Sequence, residues 1–376
     1  MPADRDEALE AAWETFCEEV RDAGRRVLRS DVVQPDLDHA EGLRFLTRLL
    51  RYGLEAGLEF SDPDFPGFYK PSHETLKVMS DNPDTLHFMA PIRSEATYRL
   101  EGLRGTVARI MFTTLGREPD GTTLVLQTAL ASDDLTVGPD GRFAITLSQT
   151  RPPSGDWLPL KPGANSLLIR AIFLDRRKET EPTAAIRRIG GEGPAYPVPL
   201  TAQTTAGKLV AAARIAAGTA QRMSDYREAC HARGWINQLG EDPSLWTAGD
   251  PGARYHHGAW RIEPDEALVI DVRPPACDFW NFQVNNHWVE SLDYRHHPIH
   301  VNKATAVAAA DGAVRIIVAH DDHGAPNWLH TTGHRSGMML ARWIGADRMP
   351  EMRTRLVKLR DAAELPRPSP EQENPA

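Results

Sequence analysis

The chain has 376 residues, 41% apolar and 25% charged, an ordinary globular composition long enough for two or three domains. Its formal net charge of −9 argues against a nucleic-acid partner, because phosphate binding needs a basic face. Three scattered cysteines, Cys17, Cys230 and Cys277, supply neither a disulfide framework nor a CxxC zinc site, whereas ten of the 14 histidines crowd between His256 and His334.

No apolar stretch follows the charged residues of positions 1–10, so no secretory signal is expected. No run of 18 apolar residues predicts a membrane span, and the expected address is cytoplasmic. Leu9, Trp13, Phe16, Val20 and Val27 share one helical stripe. A second helix is predicted from Asp38, with Glu41 completing a capping box and the end reached by Phe60. Residues 1–90 thus read as a helical cap and irregular segment.

From Tyr98 the apolar period becomes two. Runs at Val107–Phe112, Leu124–Leu130, Phe143–Leu147 and Leu167–Phe173 are separated by turns such as Pro119-Asp120-Gly121 and Pro139-Asp140-Gly141. Residues 91–195 are the first β module, 196–262 a mostly helical connector with Gly234 closing its helix, and 263–360 a second β module. Residues 361–376, rich in proline, are expected to be a disordered tail. The fold class is therefore mainly β: two tandem antiparallel β-sandwich modules, with an N-terminal helical segment and a helical connector.

The two β regions resemble each other at an offset of 171 residues. Asp140-Gly141 corresponds to Asp311-Gly312 and Trp157-Leu158 to Trp328-Leu329, and an arginine follows each Trp-Leu pair, Arg170 and Arg342. This order indicates an internal repeat of two modules. The loop before Trp157 has no histidine, whereas His320-Asp321-Asp322-His323 precedes Trp328.

The stretches Asp278–Val284 and Trp288–His297, together with Asp311-Gly312, Pro326–Leu329, Gly333–Gly337 and Arg342-Trp343, resemble the bacterial family known as domain of unknown function 1214. Its members often carry the related 1254 domain. The clear match spans about Ala267–Leu359. The resemblance implies a mainly β, jelly-roll-like architecture and no established activity, substrate or catalytic residue.

Histidine beside carboxylate suits acid–base chemistry, because the carboxylate orients the ring and raises its pKa. His320, Asp322 and His334 are the catalytic candidates; Asp293 with His296, or Asp321 with either histidine of the candidate set, could form a similar dyad. The plainer account is turn chemistry, in which Asn, Asp and His tolerate unusual backbone angles. No HExxH or HxH pattern appears, and His296-His297 would point to opposite faces of an extended chain, so no metal is assigned. GxSxG and phosphate-loop signatures are absent, so no cofactor is expected. Trp280, Asn286, His287, Tyr294, His296, Asn327, Trp328 and Arg335 complete a polar-aromatic pocket suited to a small organic or glycan ligand. The alternative for the tryptophans is that they build the sandwich core. The expectation is a ligand-binding protein without a membrane or nucleic-acid partner; the enzyme alternative is a hydrolase or lyase using the His/Asp candidates.

Overall fold

The structure, a computed structural model, describes residues 2–117, 124–245, 249–322 and 324–362. It separates into two compact units, residues 1–30, 42–222 and 246–251 against residues 31–41, 223–245 and 252–376. Among the described residues no helix is long and apolar enough to cross a membrane. The turn Pro119-Asp120-Gly121, His323 and most of the proline-rich tail lie outside the described residues.

Helix α1 spans Pro2–Leu28 and α2 Pro35–Leu54. The second begins earlier than the capping-box pattern suggested. Pro35 occupies the first turn, where its missing N–H costs nothing, and Asp38 sits one turn in. The Asp38 carboxylate reaches back to accept the Gln34 backbone N–H at 2.8 Å. Helix α2 runs on as a π-helix, Glu55–Glu59, that ends at Phe60. Gly53 permits its close approach to helix α3, Ala202–Ala232: a Cβ there would stand 2.3 Å from the Ala212 carbonyl. Helix α3 ends in a Schellman motif. Gly234 adopts φ +73, its N–H donates to His231 and the Trp235 N–H to Cys230.

The first module contains β1 Thr85–Pro91, β2 Thr97–Leu103, β3 Arg109–Arg117, β4 Leu124–Ala131, β5 Arg142–Ser148, β6 Asp156–Pro159, β7 Ser166–Ile172 and β8 Thr183–Gly190. They form two sheets, β1-β7-β3-β4 and β6-β5-β2-β8. Inward side chains of both sheets, including Tyr98, Leu100, Phe112, Phe143, Ile145 and Ile169, make one buried core.

The second module contains β9 Ala253–Arg261, β10 Glu266–Val272, β11 Phe279–Val284, β12 His300–Asn302, β13 Val314–Ala319, β14 Trp328–His330, β15 Ser336–Ile344 and β16 Met352–Lys358. Its sheets are β12-β11-β15-β9 and β14-β13-β10-β16. The core between them holds Trp260, Trp280, Phe282, Ile316, Met339 and Trp343. A short helix, α4 Leu359–Ala362, packs Ala362 with Ala267, Val269 and Ile317 on the outer side of the second sheet.

Adding eight to each strand number of the first module reproduces both strand orders of the second. The shared sequence pairs have structural work to do in each. Trp157 lies across from Thr146 and donates its indole N–H to the Ser148 carbonyl at 3.1 Å. Trp328 lies across from Ile317 and donates to the Ala319 carbonyl at 3.2 Å. Both tryptophans thereby anchor a parallel strand pair, β5–β6 and β13–β14, inside sheets otherwise paired antiparallel. In the two turns Gly141 and Gly312 take φ +79 and +83, while Asp140 and Asp311 each accept the N–H two residues on.

Two strands fall in stretches expected to be otherwise. Strand β1 enters the expected cap segment, and β9 the expected connector. In β9 five successive residues, His256 through Trp260, are buried. A strand covered on both faces loses the alternation that reveals one covered on a single face.

Candidate functional site

Strand β11 turns Trp280, Phe282 and Val284 into the core of the second module. Asn281 and Gln283 therefore project from the opposite face of the sheet. Both are fully buried, with Asn285 just beyond the strand. Arg342, across from Asn281 on β15, donates to the Gln283 side chain at 2.5 Å, and Gln283 donates to Asn285 at 2.6 Å. Tyr226 of α3 shares a 2.9 Å hydrogen bond with His257 Nδ1, and the Trp343 indole donates to His256 Nδ1 at 2.9 Å. Burial, aided by neighbouring cations, drops His256 and His257 to about 4. Burial lifts the Cys230 thiol to about 11. These three groups are neutral near pH 7: His257 lies with Tyr226 on the same side of the sheet as Arg342, while His256 lies on the core side with Trp343.

The residues after β11 build a different environment. Asn286 Oδ1 accepts the N–H groups of Trp288 and Glu290 at 3.0 and 3.1 Å, and its Nδ2 donates to the Glu290 carboxylate at 3.1 Å. The turn forces Val289 to φ +64. A buried β-branched residue in that region is strained by roughly 1–3 kcal/mol, and such strain concentrates at functional sites. The turn presents His287 and Trp288. The Trp288 indole donates to the Asp38 carbonyl at 2.7 Å, the Arg227 guanidinium lies 5.9 Å over its ring, and His287 packs edge-on at 4.8 Å. Asp38 Oδ1 stands 3.6 Å from His334 Nδ1, an ion-pair separation longer than a hydrogen bond. Gln34 ties these pieces together, since its side chain accepts the Arg335 N–H and donates to the Gly333 carbonyl.

Asp38, His287 and His334 are all buried. Burial favours the neutral Asp38 carboxyl, but the His334 contact, the Gln34 N–H and the charges of His287 and His334 outweigh it and hold its pKa below the usual value. Burial, with the Arg227 charge added, drops His287 to about 3. An ionised carboxylate therefore sits near a neutral imidazole. Among the described residues, Asp38 Oδ1, His287 Nε2 and His334 Nδ1 have no hydrogen-bond partner.

The catalytic candidates do not converge. His334 is in this cluster, but its carboxylate neighbour is Asp38 rather than Asp321 or Asp322. His320 shares a hydrogen bond with Thr331 Oγ1 at 2.8 Å, near the His297–His330 pair. Asp322 is exposed and accepts the Gly324 N–H at 2.7 Å, a turn role. The Asp293 carboxylate pairs with Arg295 at 2.7 Å, and the N–H of exposed His296 donates to the Asp293 carbonyl. Among the described residues, no three histidine, cysteine or acidic side chains are placed to hold a metal ion.

The ligand-binding candidates divide similarly. Asn286 and His287 belong to the cluster, and Arg335 reaches it through its backbone while its guanidinium pairs with Glu263. Trp280 is sealed in the core, stacked 5.7 Å from Trp343, because β11 points it inward. Tyr294 packs half-buried against the same core. Asn327 takes φ +57 and bonds Val307 and Arg315 backbone groups, pinning a turn. Trp328 is half-buried on the outer apolar layer beside His330. Asp38, Gln34, Arg227, Trp288 and Glu290 were missed. Trp288 and Glu290 lie within the family-like stretch; Asp38 is read from sequence only as a helix start, and Gln34, just before α2, and Arg227 of α3 carry no local signal.

The family model described as Protein of unknown function (DUF1214) matches residues 117–173 and 264–347. The crystal structure of an uncharacterised protein from Burkholderia cenocepacia is similar at 42% identity, over 95% of this chain and 99% of that one, with a TM-score of 0.89. A protein from Vibrio parahaemolyticus is similar at 12% identity, over 83% of this chain and 96% of that one, with a TM-score of 0.49. No curated protein matches the chain.

Proposed function

We propose that this chain, which belongs to the DUF1214 family of proteins of unknown function, binds a small polar organic molecule at the Asp38–His287–His334 cluster. The observation that carries this reading is the set of three buried polar atoms, from three side chains, that have no hydrogen-bond partner among the described residues, two of them facing each other at 3.6 Å. Each such atom costs about 1–3 kcal/mol, and native structures keep few of them without a water, ion or ligand. An ionised Asp38 calls for a hydroxyl or amine donor, while the imidazoles exchange hydrogen bonds with either kind of group. A glycan suits the site less, because the Trp280 indole has no open face to stack on a sugar.

The test is a thermal-shift screen of small alcohols, amines and amides on the full chain, followed by calorimetry of the hits. Binding should weaken about tenfold or more in Asp38→Asn and His334→Ala, since charge-assisted hydrogen bonds are lost. Hits that bind both variants as well as the parent would sink the reading.

The 3.6 Å pairing of His334 with Asp38 favours a second reading, a hydrolase or lyase in which Asp38 orients His334 as the base. Turnover of an ester or hydroxy-acid panel, lost in His334→Ala, would support it. The matching strand orders and tryptophan anchors also lead us to infer that the modules arose by duplication. The free cysteines suit a cytoplasmic setting.

A further inference from the structure

The outer face of sheet β1-β7-β3-β4 holds the buried Arg170–Thr113 hydrogen bond and, beside it, an apolar patch. It carries Tyr69, Met89, Leu115 and Leu168, joined by Tyr52 and Phe60. Over part of this face lies a cavity of about 980 Å³, walled by the π-helical end of α2 and by α3, all within the first unit. Its volume falls at the upper end of the range for small-molecule sites. Phe60 stacks on Tyr69 at 5.4 Å, and Tyr52 lies 6.5 Å from the same ring. Met79 and Met89 add flexible apolar surface, and Ala206, Gly207 and Gly218 keep the α3 wall shallow. A π-helical segment at such a wall is itself a frequent mark of function.

The charge of the lining is one-sided. Among the described residues that line the cavity, Arg214 and Arg222 are cations on α3, Arg117 stands at the end of β3, and there is no Asp, Glu or Lys, in a chain whose net charge is −9. Arg117 and Arg222 are close enough to Tyr52 to oppose the rise that burial imposes on its hydroxyl pKa. Arg222 thus lies beside a phenol in a hollow lined largely by aromatic and aliphatic side chains.

We propose that this cavity binds an amphiphile with an apolar body and a single carboxylate head, such as a medium-chain fatty acid. The aromatic and methionine surface receives the body. The guanidinium groups pair with the carboxylate, whose planar geometry they match, and the Tyr52 hydroxyl donates to it. This site is separate from the Asp38 cluster and stands or falls independently of it.

The test is calorimetry and fluorescent-probe displacement on the full chain with three twelve-carbon probes: dodecanoate, dodecan-1-ol and dodecyltrimethylammonium. Dodecanoate should bind saturably at one site, at least about tenfold more tightly than the alcohol, and the cation more weakly still. Arg222→Gln and Arg214→Gln should weaken dodecanoate about tenfold while leaving dodecan-1-ol unchanged. Arg214 is exposed, so its replacement leaves the fold intact. Val210→Trp, which fills the cavity from α3, should remove binding of all three probes. Equal affinity for the anion and the cation, no saturable dodecanoate binding, or undiminished binding in folded Val210→Trp would overturn the proposal.

Discussion

Replacing Asp38 by Asn keeps the side-chain shape and removes the charge. In the folded chain the carboxylate accepts the Gln34 N–H at 2.8 Å and faces His334 at 3.6 Å, fully buried. A hydrogen bond to a charged group contributes about 1.5–3 kcal/mol, so Asp38→Asn should lose about that much near pH 7. The pH dependence has a definite sign. The folded pKa lies below the ordinary carboxylate value, so the carboxylate's contribution is present above the unfolded value and disappears as pH falls through the folded one. Urea unfolding of parent and variant, compared at pH 7, 5 and 3, isolates this contribution because the other carboxylates cancel in the difference. The gap should hold between pH 7 and 5 and shrink towards pH 3. A gap that stays constant, or a variant more stable than the parent at pH 7, would refute the electrostatic reasoning.

Three other perturbations probe the surrounding framework. His256, His257 and His287, held at about 4, 4 and 3, resist the protons that the unfolded chain accepts below pH 6.5, so each should subtract roughly 2 kcal/mol of stability between pH 7 and 5; their NMR ring signals should not titrate in that window. Asp271 holds Arg315 at 2.7 Å in a buried pair and Arg355 at 2.8 Å. Asp271→Asn removes the carboxylate charge that both guanidinium groups share and should cost about 3 kcal/mol by chemical denaturation, against little change if the pair is idle. Trp157→Phe and Trp328→Phe each lose one indole–carbonyl hydrogen bond and should cost about 1 kcal/mol apiece; a cost in one module alone would show that the two anchors are not equivalent.

Much of the framework was legible because it rests on local rules. Helix α1, the Gly234 cap and the Asp-Gly turns at 140–141 and 311–312 follow from spacing and backbone preference, although Leu9 and Trp13 of the α1 stripe are exposed, and the Trp-Leu pairs fall on β6 and β14. The parallel pairing at those tryptophans was not legible, since spacing carries no strand direction. Nor was the burial of the polar face of β11, where Asn281 and Gln283 both accept from Arg342 across the sheet, a tertiary arrangement with no local signal. The candidate site was half legible for the same kind of reason. Asn286, His287 and His334 lie in the histidine-rich stretch, but Asp38 is 250 residues from Trp288 along the chain. Acidic residues adjacent in sequence, Asp321 and Asp322, drew attention that tertiary packing gives to Asp38.

A crystal structure of the full chain near 1.2 Å resolution, determined in the presence of the best hit from the small-molecule screen, tests the central claim most directly. The account predicts that molecule ordered within about 2.6–3.2 Å of Asp38 Oδ1, His287 Nε2 and His334 Nδ1 together. Density for water alone, or side chains turned so that all three atoms find partners within the protein, would contradict it.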